Sequence, residues 1–319
     1  MIAVVIVNWN GRRFFERCLR ALEEQSHRAD RVIVVDNGST DDSVAFLRQS
    51  WPDVQVIPLG RNAGVAAGNN VGIRSALDQG ATRVLLLNSD AYLAPEALAR
   101  LADALASRNG WAAAPKILYE SDPRRIWSAG GDFEWWKGVA RDRGTNELDG
   151  GQFDEPGDVD YANTCCLLLR REAFDRVGPM DEAYFMYFDD SDFSARLRRA
   201  GGRIVYVPTA RVRHDVQASS GGSGAQPSPF ALYYYTRNRP YFIRRNVRNP
   251  LCRVAAHAFT LASRVALVAR AAATGHDAEA RIIIRALRDG YVRRLTGAAA
   301  GTPYVVPLKS SLRTRATEA

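Results

Sequence analysis

Apolar and polar residues along the first hundred positions follow two alternating patterns. Four short runs are apolar nearly throughout, which is typical of strands covered on both faces. These runs are residues 2–7, 31–35, 54–57 and 83–87. Between them, apolar side chains recur at i, i+3, i+4 and i+7, first from Phe15 to Leu22 and later from Leu98 to Leu105, which predicts helices. The alternation of strand and helix predicts a parallel sheet built from βαβ units.

Polar side chains follow three of these predicted strands, at the point where each strand ends. Asn8 and Asn10 follow the first strand, Asp36 follows the second, and Asn88 and Asp90 follow the fourth. The carboxyl ends of parallel strands form the edge at which open α/β sheets bind ligands. Any one cluster alone is better explained as a turn, but three clusters at one edge favour a binding site.

Glycines recur at four-residue spacing at Gly64, Gly68 and Gly72, leading into a helical segment. Small residues there would let the backbone approach a phosphorylated ligand, and close packing of the helix on the sheet is the alternative. Neither GxGxxG nor GxxxxGK[ST] occurs in the sequence. The fingerprints of dinucleotide-binding and P-loop proteins are therefore lacking.

A cluster of carboxylates precedes a predicted helix in the second half of the chain. Asp189, Asp190 and Asp192 come directly after an aromatic run at residues 184–188. Three carboxylates in four positions exceed what helix capping requires. Aromatic rings beside carboxylates suit a sugar ligand, and packing in the core is the alternative for each ring.

One histidine has a context that suits metal binding. His214 follows a strand-like stretch, and together with Asp90 it offers two ligands for a divalent cation. A structural role is the alternative, and spacing alone favours that alternative.

The charge of the chain is unevenly distributed. The whole chain carries a formal net charge of +8. Residues 231–319 hold 16 basic and 4 acidic side chains, a net of +12, whereas residues 1–230 hold 27 and 31, a net of −4. Acidic side chains in the larger part would repel phosphate, so no nucleic-acid partner is expected.

The cysteines and the longest apolar stretches indicate a cytoplasmic protein. The four cysteines form no CxxC pair, which favours a reducing compartment, and the first residues lack the pattern of a signal peptide. The longest apolar stretch, residues 254–269, is interrupted by His257 and Arg264. A membrane-spanning helix is therefore not expected.

The basic tail contains a predicted helix with one apolar face. Ile282, Ile283, Leu287, Tyr291 and Leu295 line that face, and arginines lie near its borders. Such a helix suits the surface of an anionic membrane. Packing on the catalytic domain and a homodimer interface are the alternatives.

Five segments carry a resemblance to a known family. They read VVIVNWNG, VIVVDNGSTDDS, RNAGVAAGNNVGI, LLLNSDAYL and YFMYFDDSDFSARLRRAG. In this order and spacing they closely resemble the inverting family 2 glycosyltransferases, over roughly residues 1–245. Bacterial rhamnosyltransferases are the most similar group and galactofuranosyltransferases the second. A YY..RN segment, here Tyr234, Tyr235, Arg237 and Asn238, is part of that likeness.

The resemblance implies a fold and a division of the chain. It implies an α/β fold of the GT-A type, in which a Rossmann-like, mostly parallel sheet is flanked by helices. Residues 1–230 would form the catalytic domain, with a nucleotide-sugar half at about 1–110 and an acceptor half at about 111–230. Residues 231–319 would form a basic helical C-terminal extension.

The resemblance also implies a role for each candidate residue. Asp90 would bind Mg²⁺ or Mn²⁺ with His214 as a further ligand, although Asn88 stands where the family has its first acid. Asp190 would be the catalytic base, with Asp189 beside it. Asp192 would contact the acceptor or support the site, and Trp127 would lie on the acceptor side. The donor nucleotide sugar would be bound by Asn8, Asn10, Asp36, Asn62, Asn69 and Asn88.

The implied reaction moves a sugar from a nucleoside diphosphate to a hydroxyl group of a glycan, a lipid-linked acceptor or a small molecule. The donor that fits best is dTDP-rhamnose, and galactofuranosyl, mannosyl and N-acetylhexosaminyl transfer are alternatives. A non-catalytic scaffold that binds nucleotide sugars is the alternative of another class, because Asn88 is an amide. The enzyme is expected in the cytoplasm or peripherally on the cytoplasmic face of the inner membrane. The Gly/Ser-rich stretch at 216–229 is either a linker or a lid over the donor.

Overall fold

The predicted alternation of strand and helix is present at the start of the chain. The computed structural model describes residues 1–216 and 228–292. The first elements are β1 (Ile2–Asn8), α1 (Arg12–Glu23), β2 (Arg31–Asp36), α2 (Ser43–Ser50), β3 (Gln55–Pro58), α3 (Val65–Asp78), β4 (Arg83–Asn88), β5 (Ala91–Leu93) and α4 (Ala97–Ser107). Strands β4, β1, β2 and β3 lie side by side in this order and are parallel. The predicted parallel arrangement of this half is therefore confirmed.

The first strands are apolar throughout because the sheet is covered on both faces. Ile2, Val4 and Ile6 of β1 belong to one core cluster, and Ala3 and Val5 belong to the cluster on the opposite face. Alternate side chains of a strand point to opposite faces, so a strand buried on both sides has few positions for polar groups. Polar residues are left to the strand ends.

The second half of the chain adds a mixed extension to this sheet. Its elements are β6 (Ala112–Tyr119), β7 (Ile126–Ser128), β8 (Gly131–Glu134), β9 (Val139–Asp142), β10 (Gly157–Val159), β11 (Cys166–Arg170), α5 (Arg171–Val177), α6 (Asp189–Arg199) and β12 (Ile204–His214). Strand β11 is antiparallel to both of its neighbours, β4 and β6, whereas β6 and β12 are parallel to each other. Strands β8 and β9 form a separate hairpin. The fold is α/β, parallel in the first half and mixed in the second.

The glycines of α3 serve the packing of this helix on the sheet. A Cβ atom on Gly68 would lie 2.7 Å from a methyl carbon of Val7, and one on Gly72 would lie 2.3 Å from a methyl carbon of Val5. These two glycines therefore allow the helix to approach β1 closely, which supports the packing alternative for them. Gly64 differs, because it precedes the helix with a φ of 93°.

Three helices follow the sheet region. They are α7 (Pro229–Asn246), α8 (Pro250–Ala273) and α9 (Asp277–Val292). Ile282 and Ile283 of α9 are buried, in one cluster with Tyr233 and Tyr234 of α7. The apolar face that suggested an interfacial helix at 281–295 thus packs within the protein as far as α9 extends. The proposed lid at 216–229, apart from its ends, and the residues Arg293, Arg294 and Leu295 lie outside the described residues.

Helix α8 is the exception to the expectation that no helix spans a membrane. Its 24 residues have a mean hydropathy of 1.4 in the most apolar window, and 11% of that window is buried. In the part of the chain that the structure describes, it is the one helix long and apolar enough, by length and composition, to cross a bilayer. The mean hydropathy of the most apolar window reaches 1.4 even though His257 and Arg264 lie within the helix.

We expect Gly72→Ala to destabilise the protein by about 2 kcal/mol, because the new methyl group meets Val5 in a core that is already full. Alanine would otherwise favour the helix, so a loss of stability isolates the packing effect. Gly157→Ala is the matched control, since its Cβ would meet nothing within 4 Å. Urea denaturation measures both, and an equally stable Gly72→Ala protein would contradict the packing argument.

Candidate active site

The loops after β1 and β2 are joined by the side chain of Asn8. This side chain is fully buried, and its amide donates to Oδ1 of Asp36 and to Oγ of Ser39, both at 2.9 Å. Its oxygen accepts from the backbone N–H of Gly11 at 3.0 Å. Both amide hydrogens of Asn8 are thus used inside the protein. Asn8 orients Asp36 and Ser39 at the rim, and the exposed Asn10 and Trp9 lie next to it.

The loops after β2 and β3 are joined in the same way. The amide of Asn37 donates to the carbonyl oxygen of Gly64, and its oxygen accepts from the N–H of Ala63, both at 3.0 Å. Asn62 accepts from the N–H of Gly64 at 3.0 Å. Asn69 is buried on the first turns of α3. The structure thus brings the candidate donor-binding asparagines to one edge of the sheet, together with Asn37, which was not predicted.

Asp90 and His214 lie side by side beyond the end of β4. Strand β5 pairs antiparallel with the end of β12, with Ala91 opposite His214, and this register places the preceding Asp90 next to the imidazole. Oδ1 of Asp90 and Nε2 of His214 are 3.2 Å apart, and both side chains are buried. Trp127 contacts the imidazole edge-on, with ring centroids 4.5 Å apart. Asn88 ends β4 and is half-buried.

This pair fits a divalent cation. Among the described residues, Nδ1 of His214 has no hydrogen-bond partner, and Nε2 faces Oδ1 of Asp90 without a well-aligned hydrogen bond. A buried polar atom without a partner calls for a specific reason, and a metal ion is a common one. The described ranges contain no cluster of three His, Cys, Asp or Glu side chains that could hold a metal. Two protein ligands are typical of an ion that takes its other ligands from substrate phosphates.

Three thiols lie in the core beneath this pair. Cys18, Cys165 and Cys166 are free and buried. Burial raises the pKa of each thiol far above its ordinary value, and the charge of Asp90 raises the pKa of Cys18 and Cys165 further. Burial therefore disfavours the reactive thiolate form of all three side chains.

A strained turn delivers the acidic cluster. Phe185, Tyr187 and Phe188 have φ values of 66°, 62° and 68°, in a region that side chains other than glycine rarely occupy. Helix α6 begins directly afterwards, at Asp189. Strain of this kind persists only where the surroundings hold it, and it is concentrated at functional sites.

Two residues of α7 hold this turn by its carbonyl groups. The amide of Asn238 donates to the carbonyl oxygens of Tyr184, Met186 and Tyr187, at 2.9, 2.7 and 2.9 Å. Arg237 donates to the carbonyl oxygen of Tyr184 at 3.0 Å and to that of Ala183. Both side chains are buried. We name this set of hydrogen bonds the carbonyl clamp, and it gives the RN pair of the YY..RN segment a physical role.

The three carboxylates of the cluster differ in their surroundings. Asp192 is fully buried and accepts from Arg196 Nε at 2.7 Å and from Asn246 at 2.8 Å, which suits support of the fold. Asp189 is buried, and its Oδ2 has no partner among the described residues. Burial and the nearby charge of Asp190 raise the pKa of Asp189 well above its usual range.

Asp190 is the carboxylate that reaches the surface. Its Oδ2 accepts from the hydroxyl of Tyr161 at 2.8 Å, and its Oδ1 accepts from the N–H of Ser191 at 2.7 Å. Burial raises its pKa, and these hydrogen bonds oppose the rise. Asp190 is thus partly exposed, oriented by two donors, and a weaker acid than a free aspartate.

A second carboxylate beside Asp190 was not predicted. Asp142, at the end of β9, accepts from Ser128 at 2.5 Å and from Asn163 at 3.2 Å. Burial raises the pKa of Asp142 to about 6, and the charge of Asp190 contributes to the rise. Asp142 and Tyr161 come from a polar connector without hydrophobic periodicity, so no sequence signal marked them.

Strand β7 links the two parts of the site. Trp127 contacts His214, and the next residue, Ser128, donates to Asp142. The candidate cation-binding pair and the carboxylates around Asp190 therefore contact neighbouring residues of the same short strand. Displacement at a sugar carbon requires a site for the leaving group and a base, and these two groups are the candidates for those roles.

Comparison with known sequences identifies the family. The sequence pattern of glycosyl transferase family 2 matches residues 3–178, which is more than half of the chain. The chain belongs to glycosyl transferase family 2. A relative from Mycobacterium tuberculosis, an N-acetylglucosaminyl-diphospho-decaprenol L-rhamnosyltransferase, is 31% identical over 250 residues, which cover 69% of this chain and 78% of the relative. The dTDP-rhamnosyl transferase RfbF of Shigella flexneri is 24% identical, covering 77% and 80%.

Solved structures confirm the GT-A type of fold for this family 2 glycosyltransferase. A mannosyltransferase from Pyrobaculum calidifontis, in complex with GDP-Man and Mn²⁺, matches with a TM-score of 0.57 and 17% identity over 92% of this chain and 88% of its own. Residues 1–349 of TarS from S. aureus, in complex with UDP, match with a TM-score of 0.55 and 17% identity, covering 81% and 70%. Membership of glycosyl transferase family 2 shows that the protein is an enzyme that transfers glycosyl groups.

We expect Asp192→Asn to lower the stability of this glycosyltransferase by roughly 3 kcal/mol, because it leaves Arg196 without its buried counter-charge. Asp189→Asn, three residues earlier on the same helix, should not lower it. With a raised folded-state pKa, Asp189 binds a proton in the folded state that it loses on unfolding at pH 7. Its contribution to stability therefore declines as pH rises from about 4.

Urea denaturation of both variants at pH 5 and pH 8 tests this pair. Asp189→Asn should flatten the decline of stability between the two pH values, whereas Asp192→Asn should lower stability at both. Equal losses in the two variants at both pH values would show that the two carboxylates do not differ in this way.

Proposed function

We propose that this enzyme transfers a sugar, with rhamnose from dTDP-rhamnose as the best candidate, to a hydroxyl of a lipid-linked glycan. The observation that carries the proposal is the partly exposed Asp190, held by Tyr161 across strand β7 from Asp90 and His214. The two rhamnosyltransferase relatives support the choice of sugar. Galactofuranose is the second candidate, supported by the 28% identity to the galactofuranosyltransferase GlfT1 of Mycolicibacterium smegmatis.

The donor would occupy the edge formed by the loops after β1 to β4. Asp36 and the exposed Asn10 and Trp9 would contact the nucleoside, with Asn8 holding Asp36 in place. Asn62, Asn69 and Asn88 would complete the pocket around the sugar and the diphosphate. Asp90 and His214 would hold a Mg²⁺ or Mn²⁺ ion, which neutralises charge on the departing diphosphate. Mn²⁺ in the complex of the Pyrobaculum mannosyltransferase supports this cofactor.

The acceptor hydroxyl would lose its proton to Asp190. Ionised Asp190 accepts the proton through Oδ2 or Oδ1, while Tyr161 keeps the carboxylate aimed at the cleft. The oxygen then attacks the anomeric carbon from the face opposite the diphosphate, so that one displacement inverts the configuration. A partly buried base with a raised pKa is a stronger base than a free aspartate, which favours proton removal from an alcohol.

The acceptor would be a glycan carried on a membrane lipid. The mycobacterial relative is named for an acceptor that is a sugar on diphospho-decaprenol. The reaction would then take place on the cytoplasmic face of the membrane that holds the lipid. Family membership argues against the alternative of a non-catalytic scaffold that binds nucleotide sugars.

Asp190→Asn should reduce the rate of sugar transfer by about 10³-fold, because the amide cannot accept the proton. Donor binding should remain, since Asp190 is outside the donor edge. Transfer is measured with nucleotide sugars and Mn²⁺, and donor binding by the thermal shift that the same ligand causes. Asp175→Asn on α5 is the control, because its side chain is exposed and lies in a different helix. Normal transfer by Asp190→Asn would refute the assignment of the base.

Tyr161→Phe should move the acidic limb of the kcat/KM profile to higher pH by about one unit. The hydroxyl stabilises ionised Asp190, so its loss raises the pKa of the base, and activity then declines at a higher pH as acid is added. Tyr206→Phe is the control, because that hydroxyl donates to the carbonyl oxygen of Phe153 instead. An unmoved acidic limb in Tyr161→Phe would argue that Asp190 is not the titrating base.

A further inference from the structure

The side of α8 that faces away from the protein carries no polar side chain. The helix packs inward through Ala256, Thr260 and Ala271, which are buried. The opposite side, here called the outer face of α8, consists of Leu251, Val254, Ala258, Leu261, Ala262, Val265, Ala269 and Ala272. These residues recur at helical spacing and are all exposed.

The exposure of this face is unusual for a protein surface in water. Leu251 is 81% exposed, Val254 69%, Leu261 44% and Val265 62%. Single exposed apolar residues are common, but a continuous apolar strip along 24 residues indicates that something covers it. Helix α9 does not cover it, because α9 buries its own apolar face against α7.

Aromatic and cationic side chains border one edge of the outer face. Phe259 of α8 contacts Trp136 at the tip of the β8–β9 hairpin, with ring centroids 5.5 Å apart. Trp136 is 50% exposed, and Nζ of Lys137 lies 4.7 Å from its ring centroid. Exposed tryptophan beside lysine is typical of the interface between the apolar core of a bilayer and its headgroups.

The charge around α8 is strongly positive. The helix carries Arg253, Arg264 and Arg270 and no acidic residue. A cavity of about 560 Å³ beside its first turn is lined by Arg198, Arg199 and Arg248, and by Asp160, which pairs with Arg198 at 3.3 Å. Three arginines against one carboxylate leave the cavity with a net positive charge. Anionic headgroups complement this surface, whereas a second copy of the chain would bring like charges together.

We propose that the outer face of α8 docks on a bilayer containing anionic phospholipids, with the helix lying in the plane of the interface. The helix keeps its inward contacts with the protein, so it lies on the bilayer without crossing it. Trp136 and Lys137 sit at the headgroup level, and the cavity beside Arg248 collects headgroup phosphates.

Docking on a bilayer would bring the enzyme to a lipid-linked acceptor. The role of the docking surface in catalysis therefore rests on the proposed function, whereas the docking itself does not. The hairpin that carries Trp136 at its tip ends at Asp142, next to Asp190. Strand β9, Val139–Asp142, spans roughly 10 Å between the turn that carries Trp136 and the carboxylate of Asp142. A sugar on a lipid diphosphate would therefore be presented on the side of the enzyme that carries the base.

Vesicle binding of the full-length chain tests the proposal. The probes are vesicles of phosphatidylcholine alone and vesicles with phosphatidylglycerol added, separated by flotation. The unmodified protein should float with the anionic vesicles at least tenfold more than with the neutral ones, and added salt should weaken binding. The variant Val254→Ser, Leu261→Ser and Val265→Ser should lose at least tenfold in binding, whereas Leu148→Ser, 55% exposed on a loop of the sheet region, should not.

The same samples distinguish the other occupants of this face. Unchanged flotation of the triple variant would overturn the proposal, as would absence of flotation in the unmodified protein. A dimer in solution that the triple variant converts to a monomer, without vesicle binding, would assign the face to a second copy. Protein that resists extraction by alkaline carbonate would indicate a helix that crosses the bilayer.

A readout of folding and catalysis separates this proposal from the proposed function. The triple variant should keep its unfolding temperature and its rate with a short, water-soluble acceptor. Vesicle binding without sugar transfer in the unmodified protein would leave the docking surface in place and refute the proposed function. Transfer to soluble acceptors without vesicle binding would refute the docking surface and leave the assignment as a sugar transferase in place.

Discussion

The carbonyl clamp is the interaction on which the position of Asp189 and Asp190 depends. Three non-glycine residues with positive φ place Asp189 and Asp190 at the start of α6, and each costs on the order of 1–3 kcal/mol. The hydrogen bonds from Arg237 and Asn238 to the carbonyl groups of the same turn offset this cost. The turn therefore exists only because α7 is packed against it. Helix α7 is in turn fixed to α9, where the hydroxyl of Tyr233 donates to Asp289 at 2.8 Å.

The sheet edge that carries the candidate donor-binding residues is built on a different principle. Its strands are buried on both faces, so polar groups occur where the strands end, and amide side chains join the loops in pairs. Asn8 ties the first two loops together, and Asn37 ties the second to the third. Such a rim is rigid before any ligand arrives. The acidic cluster instead depends on a turn that Arg237 and Asn238, much later in the chain, hold in place.

Prediction from sequence succeeded where one local pattern determines the structure. The first four strands were placed within about one residue, because continuous apolar runs have few alternatives in a sheet covered on both faces. The pairing of Asp90 with His214 was proposed from their residue types and their places after predicted strands, and the family likeness then favoured it over a structural role for His214. Tyr161 and Asp142 were missed because the polar segment that carries them shows no hydrophobic periodicity from which a strand could be predicted. For Gly68 and the apolar face of α9 two alternatives stayed open, because a sequence does not say which neighbour fills the space beside a small or apolar residue, and the structure favours packing for both.

The buried thiols beneath Asp90 bear on how well the core resists oxidation. Cys18, Cys165 and Cys166 are free and buried, and burial raises the pKa of each thiol. The thiolate is the form that reacts with oxidants, so a buried and protonated thiol reacts slowly. The packing that stabilises the sheet therefore also protects its cysteines from chemical damage.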